Sequence, residues 1–215
     1  MASKTLDIRL RPAQGEVFSA KNRFRVLVAG RRFGKSYLSC IELFTKALER
    51  PGETFFYCAP TYRMAKDIAW KTLKKIIPKE YIRAKNETDL RLDLVNDSTI
   101  ELKGTENAMA LRGRSLAGVV LDEAAFMESE VWFEVIRPAL ADKQGWALFI
   151  STPEERPAGF TTSGVFAKRT KPAIGFAGVT QLSKGATFQN MKSKQPALNL
   201  IRARSARNLK RRSRT

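Results

Sequence analysis

Residues Ala29–Ser36 read A-G-R-R-F-G-K-S and follow directly on the apolar run Phe24–Val28. This is the pattern [A/G]-x-x-x-x-G-K-[S/T] at the end of a strand. It constrains the chain to a strand, a glycine-bearing turn and a helix opening near Lys35. Such a turn aims several backbone N–H groups at a polyphosphate, and the helix adds the positive end of its dipole. Lys35 is placed to reach the β- and γ-phosphates, and the Ser36 hydroxyl to help hold Mg²⁺. Ala29, Gly30, Gly34, Lys35 and Ser36 are therefore the expected nucleotide-binding residues.

A second pattern reinforces the first. Gly118–Glu123 reads G-V-V-L-D-E, a short buried-type strand ending in two acids. At such a strand tip the first acid, Asp122, orders Mg²⁺. The second, Glu123, is placed to polarise an attacking water as general base.

The rest of the chain alternates strands and helices. Strands are expected at Phe24–Ala29, Thr54–Ala59, Gly118–Leu121 and Trp146–Ile150. Helices are expected at Lys35–Glu49, Thr61–Ile77 and Glu128–Arg137, the last stopped or kinked at Pro138. Leu90–Val95 and Thr99–Lys103 alternate on either side of Asn96-Asp97-Ser98 and read as an antiparallel hairpin. The fold class is thus α/β, of the P-loop NTPase kind: a mostly parallel central sheet flanked by helices, plus an antiparallel hairpin. Ligands in such sheets bind at the carboxyl ends of the strands. The loop at Ala29–Ser36, the pair Asp122/Glu123 and Ser151-Thr152 all follow strand ends.

Composition removes several other classes. No histidine is present, which excludes His-based triads, His zinc sites and His general bases. Cys40 and Cys58 lack metal-ligand spacing and read as reduced, buried thiols. No apolar run reaches the roughly 18–20 residues of a membrane span, so no membrane partner is expected. The net charge is +18, unevenly spread. Residues 1–150 carry 25 Lys and Arg against 19 Asp and Glu; residues 151–215 carry 14 against two. The modest excess on the body suits a nucleic-acid-handling ATPase. After Pro153 the periodicity fails, so 1–153 reads as the ATPase domain and 154–215 as an irregular basic tail.

Taken in order, these motifs resemble the ATPase half of the large terminase subunit, the DNA-packaging motor of tailed phages. Leu10-Arg11-Pro12-x-Gln14 is similar to that family's adenine-contacting segment. Gly30–Ser36 resembles its arginine-bearing phosphate loop. Ala59-Pro60-Thr61-Tyr62 with Trp70, Leu111-Arg112-Gly113, and Val119–Glu123 with Ala124-Ala125-Phe126 follow in order. Ser151-Thr152-Pro153 resembles the motif that couples ATP state to domain movement. The resemblance implies ATP and Mg²⁺ as cofactors, with Gln14 and Thr152 joining the nucleotide site. It also implies an arginine that neutralises transition-state charge, for which Arg31, Arg32 and Arg112 all stand as candidates. Implied partners are double-stranded DNA, the portal and the small terminase subunit, with a homo-oligomeric ring on the procapsid. The implied location is the cytoplasm of the bacterial host.

The resemblance stops at the C-terminus. The metal-dependent nuclease that follows the ATPase in this family needs clustered acids, and residues 157–215 contain none. The expectation is a truncated form without nuclease. Two readings of the tail stand open. One is an out-of-frame segment, because Ala158–Gly164 and the stretch from Arg204 to Arg212 can each encode family-like sequence in another frame. The other is a basic arm that binds DNA phosphates. The alternative functions are a helicase-like DNA translocase and a non-catalytic basic nucleic-acid-binding remnant.

Overall fold

In the computed structural model, the structure describes residues 8–152 and Gly178–Gln181. The chain opens with α1 (Pro12–Ser19), which the sequence reading did not include. Pro12 supplies a preset φ for the first turn, and the Arg11 N–H donates to Gln14 Oε1 at 3.0 Å. Then follow β1 (Phe24–Val28), α2 (Lys35–Glu49) and β2 (Thr54–Ala59), all close to expectation.

The expected helix over 61–77 forms in three pieces. Thr61 caps it by accepting from the Met64 N–H. α3 (Tyr62–Ala65) runs through a wide π turn (Lys66–Trp70) into α4 (Lys71–Ile76). Beyond Pro78 lies β3 (Ile82–Asn86), absent from the sequence reading, then β4 (Arg91–Leu94) and β5 (Thr99–Gly104). β4 and β5 pair antiparallel, as the hairpin reading requires, and β3 extends the meander. β6 (Gly118–Asp122) leads to a second π turn (Val131–Ile136) that continues into α5 (Arg137–Ala139). Helical backbone therefore persists past Pro138. β7 (Trp146–Ser151) follows.

The strand order is β3-β4-β5-β2-β6-β7-β1-β8. β5, β2, β6, β7 and β1 are mutually parallel neighbours. β8 (Gly178–Gln181) pairs antiparallel with β1. It lies within the stretch read from sequence as an irregular tail, and these four residues depart from that reading. The physical reason is the row of backbone groups on the open side of β1, which a strand rich in β-branched residues can pair. The rest of 153–215 lies outside the described residues, so the two readings of the tail do as well.

α2 packs against β2, β5, β6 and β7. The sheet residues facing it include Leu27, Phe55, Tyr57, Leu92, Ile100, Leu102, Val120, Leu148 and Ile150, all wholly buried. They meet Leu38, Leu43 and Phe44 from α2 and Trp70 and Leu73 from the helix after β2. Burying each such Leu or Phe contributes about 1.5–3 kcal/mol. This packing holds the start of α2, and with it the loop after β1, against the carboxyl ends of the parallel strands.

The topology then decides what can meet at the site. β7 lies between β1 and β6. Whatever follows β7 must emerge between the loop after β1 and the acids that end β6.

Candidate nucleotide site

The loop between β1 and α2 is held from below. Gly34, the last residue before α2, has φ 85°, a left-handed conformation that glycine adopts without strain. A Cβ there would lie 2.7 Å from Gln14 Nε2 and 3.3 Å from Arg11 Nη2. Gln14 is buried, 4% exposed. Its Nε2 donates to the Phe33 carbonyl at 2.9 Å. Arg11 also donates to the Phe33 carbonyl, and to the Arg32 carbonyl at 3.2 Å, while its guanidinium lies over the Phe33 ring. Gln14 thus braces the loop backbone from α1. Arg32 itself has φ 67°, unusual for a residue with a Cβ, and the Arg11 clamp holds that turn. A Cβ on Gly30 would point into open space, so this side of the loop is clear for a ligand.

Lys35 is 8% exposed. Its Nζ donates to the Ala29 carbonyl at 2.8 Å, the Gly30 carbonyl at 3.4 Å and Thr152 Oγ1 at 2.9 Å. Burial lowers its pKa; Glu123 and Asp122 oppose that shift and Arg31 adds to it. Ser36 Oγ donates to Asp122 Oδ2 at 3.4 Å.

Asp122 ends β6 at 3% exposure. Burial raises its pKa, a hydrogen bond from Tyr57 opposes the shift, and the neighbouring Glu123 carboxylate reinforces it. Asp122 Oδ1 accepts from the Glu123 N–H at 2.9 Å. The chain then turns sharply, with Glu123 at φ 49°, ψ 45°, a left-handed conformation that costs a non-glycine residue about 1–2 kcal/mol. The turn separates the two acids. Asp122 faces Ser36, whereas Glu123 faces β7, where its Oε1 accepts from Thr152 Oγ1 at 3.1 Å. Its Oε2 accepts from the Thr152 N–H at 3.3 Å and from Ser151 Oγ at 3.4 Å.

The structure therefore joins Lys35, Ser36, Asp122, Glu123 and Thr152 in one continuous network, as the position of β7 requires. Ala29 and Gly30 contribute carbonyls to it. Gln14 sits beneath the loop rather than in the network. Of the three arginines, Arg31 and Arg32 are exposed on the loop, and Arg31 acts through space on Lys35. The Arg112 guanidinium pairs with Glu134 in the π turn at 2.8 Å. Three further participants join the site: Arg11 and Ser151, which the sequence marks only as members of motifs, and Tyr57. Tyr57 gave no local signal beyond a polar tip in an apolar strand.

Ser36 and Asp122 offer two hard oxygen donors 3.4 Å apart. That fits Mg²⁺, which typically takes one or two protein oxygens and completes its shell with water and substrate phosphates. Among the described residues no group of three or more Cys, Asp or Glu is arranged to hold a metal, so an all-protein cage is not the arrangement found here.

Fold and site together define an α/β domain of the P-loop type. Residues 26–173 match the family described as terminase large subunit, T4likevirus-type, N-terminal, and the chain belongs to that family. The matched range runs past Pro153. The terminase large subunit of Thermus phage G20c is 34% identical over 149 residues, covering 60% of this chain and 31% of that protein. The Thermus phage P74-26 large terminase ATPase domain superposes with a TM-score of 0.62 at 28% identity, covering 71% of this chain and 68% of that one. The large terminase of a thermophilic bacteriophage, solved in complex with ADP, shares the fold with a TM-score of 0.55 at 18% identity, covering 66% of this chain and 39% of that one. The chain spans about a third of the length of the curated relatives it matches.

Proposed function

We propose that this chain is the Mg²⁺-dependent ATPase part of a DNA-packaging motor subunit. The observation that carries the reading is the convergence of Lys35, Ser36, Asp122, Glu123 and Thr152 at one edge of the parallel sheet. Membership of the terminase large-subunit family supports it, as does the fold shared with a terminase solved with ADP.

In this reading the backbone N–H groups of the loop and the start of α2 receive the phosphates of ATP. Lys35 leaves the Ala29 and Gly30 carbonyls and donates to the phosphates instead. Ser36 and Asp122 would hold Mg²⁺, which would supply charge neutralisation to the phosphate oxygens. Glu123 orients and deprotonates the attacking water. Thr152 bridges Lys35 and Glu123, so a change at the phosphates reaches β7 through a single hydroxyl. Arg31, already coupled to Lys35, is the first candidate for the cation that balances developing charge. Arg32 lies beside it on the loop, and Arg112 must leave Glu134 to take that role. Gln14 has one Nε2 proton and one Oε1 lone pair left for the adenine beyond its bonds to the Phe33 carbonyl and the Arg11 N–H. Double-stranded DNA is the proposed partner, with the portal, the small terminase subunit and a ring of identical subunits as family-level partners in the cytoplasm of the bacterial host.

The test is ATP hydrolysis by the 215-residue chain with and without DNA, compared with Lys35→Ala. The wild type is expected to hydrolyse ATP, and Lys35→Ala to lower the rate by about 10²-fold or more while leaving salt-sensitive DNA binding in place. Hydrolysis that survives in Lys35→Ala would overturn the reading.

A further inference from the structure

Tyr57 is wholly buried on β2, yet its hydroxyl donates to Asp122 Oδ2. The register explains the contact. Tyr57 is level with Val120 on the neighbouring strand β6, and Asp122 lies two residues further along the same face. A tyrosine is long enough to cross that diagonal, whereas a leucine or valine would only pack against the strand. The result is a carboxylate fixed at both oxygens. Oδ1 is tied to the Glu123 N–H at 2.9 Å, and Oδ2 is tied to Tyr57 while facing Ser36 Oγ at 3.4 Å. A carboxylate oxygen can accept more than one hydrogen bond, so Oδ2 accepts from Tyr57 on one side and from Ser36 on the other, and the second lone pair is the one a cation would take over.

We propose that Tyr57 is a positioning residue for the metal-holding pair, orienting Asp122 so that the Oδ2 lone pair facing Ser36 and the Ser36 oxygen converge on one place. This rests on the reading of Ser36 and Asp122 as the Mg²⁺ site. Tyr57 is wholly buried, and its hydroxyl reaches the site through Asp122 and the neighbouring Ser36 hydroxyl. The competing account is that Asp122 merely satisfies a buried phenol, since a buried tyrosine hydroxyl usually finds a partner. The two differ in what the hydroxyl does for cation binding.

The test is the affinity of a fluorescent N-methylanthraniloyl-ADP for the 215-residue chain, titrated with MgCl₂. Wild type, Tyr57→Phe and Tyr57→Met are compared at a temperature well below the melting point of each. Losing an outer hydrogen bond to a metal-binding group typically weakens metal affinity by about 10–100-fold. The expected result is an Mg²⁺ half-saturation point raised about tenfold or more in Tyr57→Phe, with affinity in EDTA changed less than about twofold. Tyr57→Met, which refills the core without a hydroxyl, is expected to show the same loss. Affinities that fall equally with and without Mg²⁺, or an unchanged Mg²⁺ titration in either variant, overturn the proposal and leave Tyr57 a packing residue. A wild type whose ADP affinity ignores Mg²⁺ would overturn the metal site itself.

Discussion

Gly34→Ala is the substitution whose effect follows most directly from the loop geometry. Two penalties add. The first is conformational: alanine at φ 85° occupies the left-handed region, at about 1–2 kcal/mol. The second is steric, because the new Cβ would stand 2.7 Å from Gln14 Nε2. The far end of a glutamine normally yields cheaply. This one is 4% exposed, accepts from the Arg11 N–H and donates to the Phe33 carbonyl. Moving it breaks a buried hydrogen bond, at about 1–2 kcal/mol. The expected loss is about 2–4 kcal/mol, or about 4–16 °C in melting temperature for a domain of this size. The assay is thermal unfolding of wild type, Gln14→Ala, Gly34→Ala and the double variant. Gln14→Ala removes the atom that the new Cβ strikes, so the double variant should lose about 1 kcal/mol less than the sum of the singles. Gly34→Ala melting within about 2 °C of wild type, or strict additivity of the two changes, would refute the brace.

Lys35→Ala and the Tyr57 variants test the chemistry, and Glu87 and the two cysteines report on the scaffold around it. Glu87 accepts from Lys85, Trp70 and Lys74, and these contacts hold its carboxyl down at about 2. A carboxyl depressed in the folded state stabilises fully above its unfolded value and loses that contribution as pH falls toward its folded value. The melting-temperature gap between wild type and Glu87→Gln should therefore be constant above about pH 5 and close progressively below it; a gap that persists undiminished at pH 3 would contradict the assignment. Cys40 and Cys58 are buried, and burial raises both thiols, that of Cys58 to about 12. Because the thiolate is the reactive form, neither should react with Ellman's reagent at pH 8 in the folded protein, whereas both should do so in denaturant. Rapid labelling of the native chain would refute their burial.

What the sequence revealed and what it concealed divide along a physical line. Lys35, Ser36, Asp122 and Glu123 were legible because each belongs to a contiguous pattern whose spacing is set by one turn or one strand end. α2 and β2 were legible because their periodicity is complete, and the hairpin of β4 and β5 because Asn96–Ser98 separates two alternating runs. β3 was not: Ile82–Asn86 carries only one half-buried residue and four exposed ones, so no alternation betrays an outer strand held by β4. α1 was missed for a similar reason. It buries only Gln14 and Val17, too few apolar positions to mark a helical face. Tyr57 was hidden differently, since its partner is 65 residues away and is reached only through the register of two parallel strands.

Gln14 and Thr152 show why contiguity matters. Both entered through resemblance, and the structure gives each a mechanical position that no local pattern contains. Gln14, on α1, carries the Phe33 carbonyl beside Gly34. Thr152 owes its contacts to strand order alone. Had β7 lain outside β1, its end could not have stood between Lys35 and Glu123. Because it lies between β1 and β6, one hydroxyl accepts from Lys35 and donates to Glu123. The three N–H donors of the Lys35 ammonium are now given to the Ala29 and Gly30 carbonyls and to Thr152, so a phosphate that takes one of them displaces a present bond. In the proposed mechanism the carbonyls are the bonds released, and Thr152 Oγ1 keeps Lys35 linked to Glu123 and to the end of β7 through atoms already in contact.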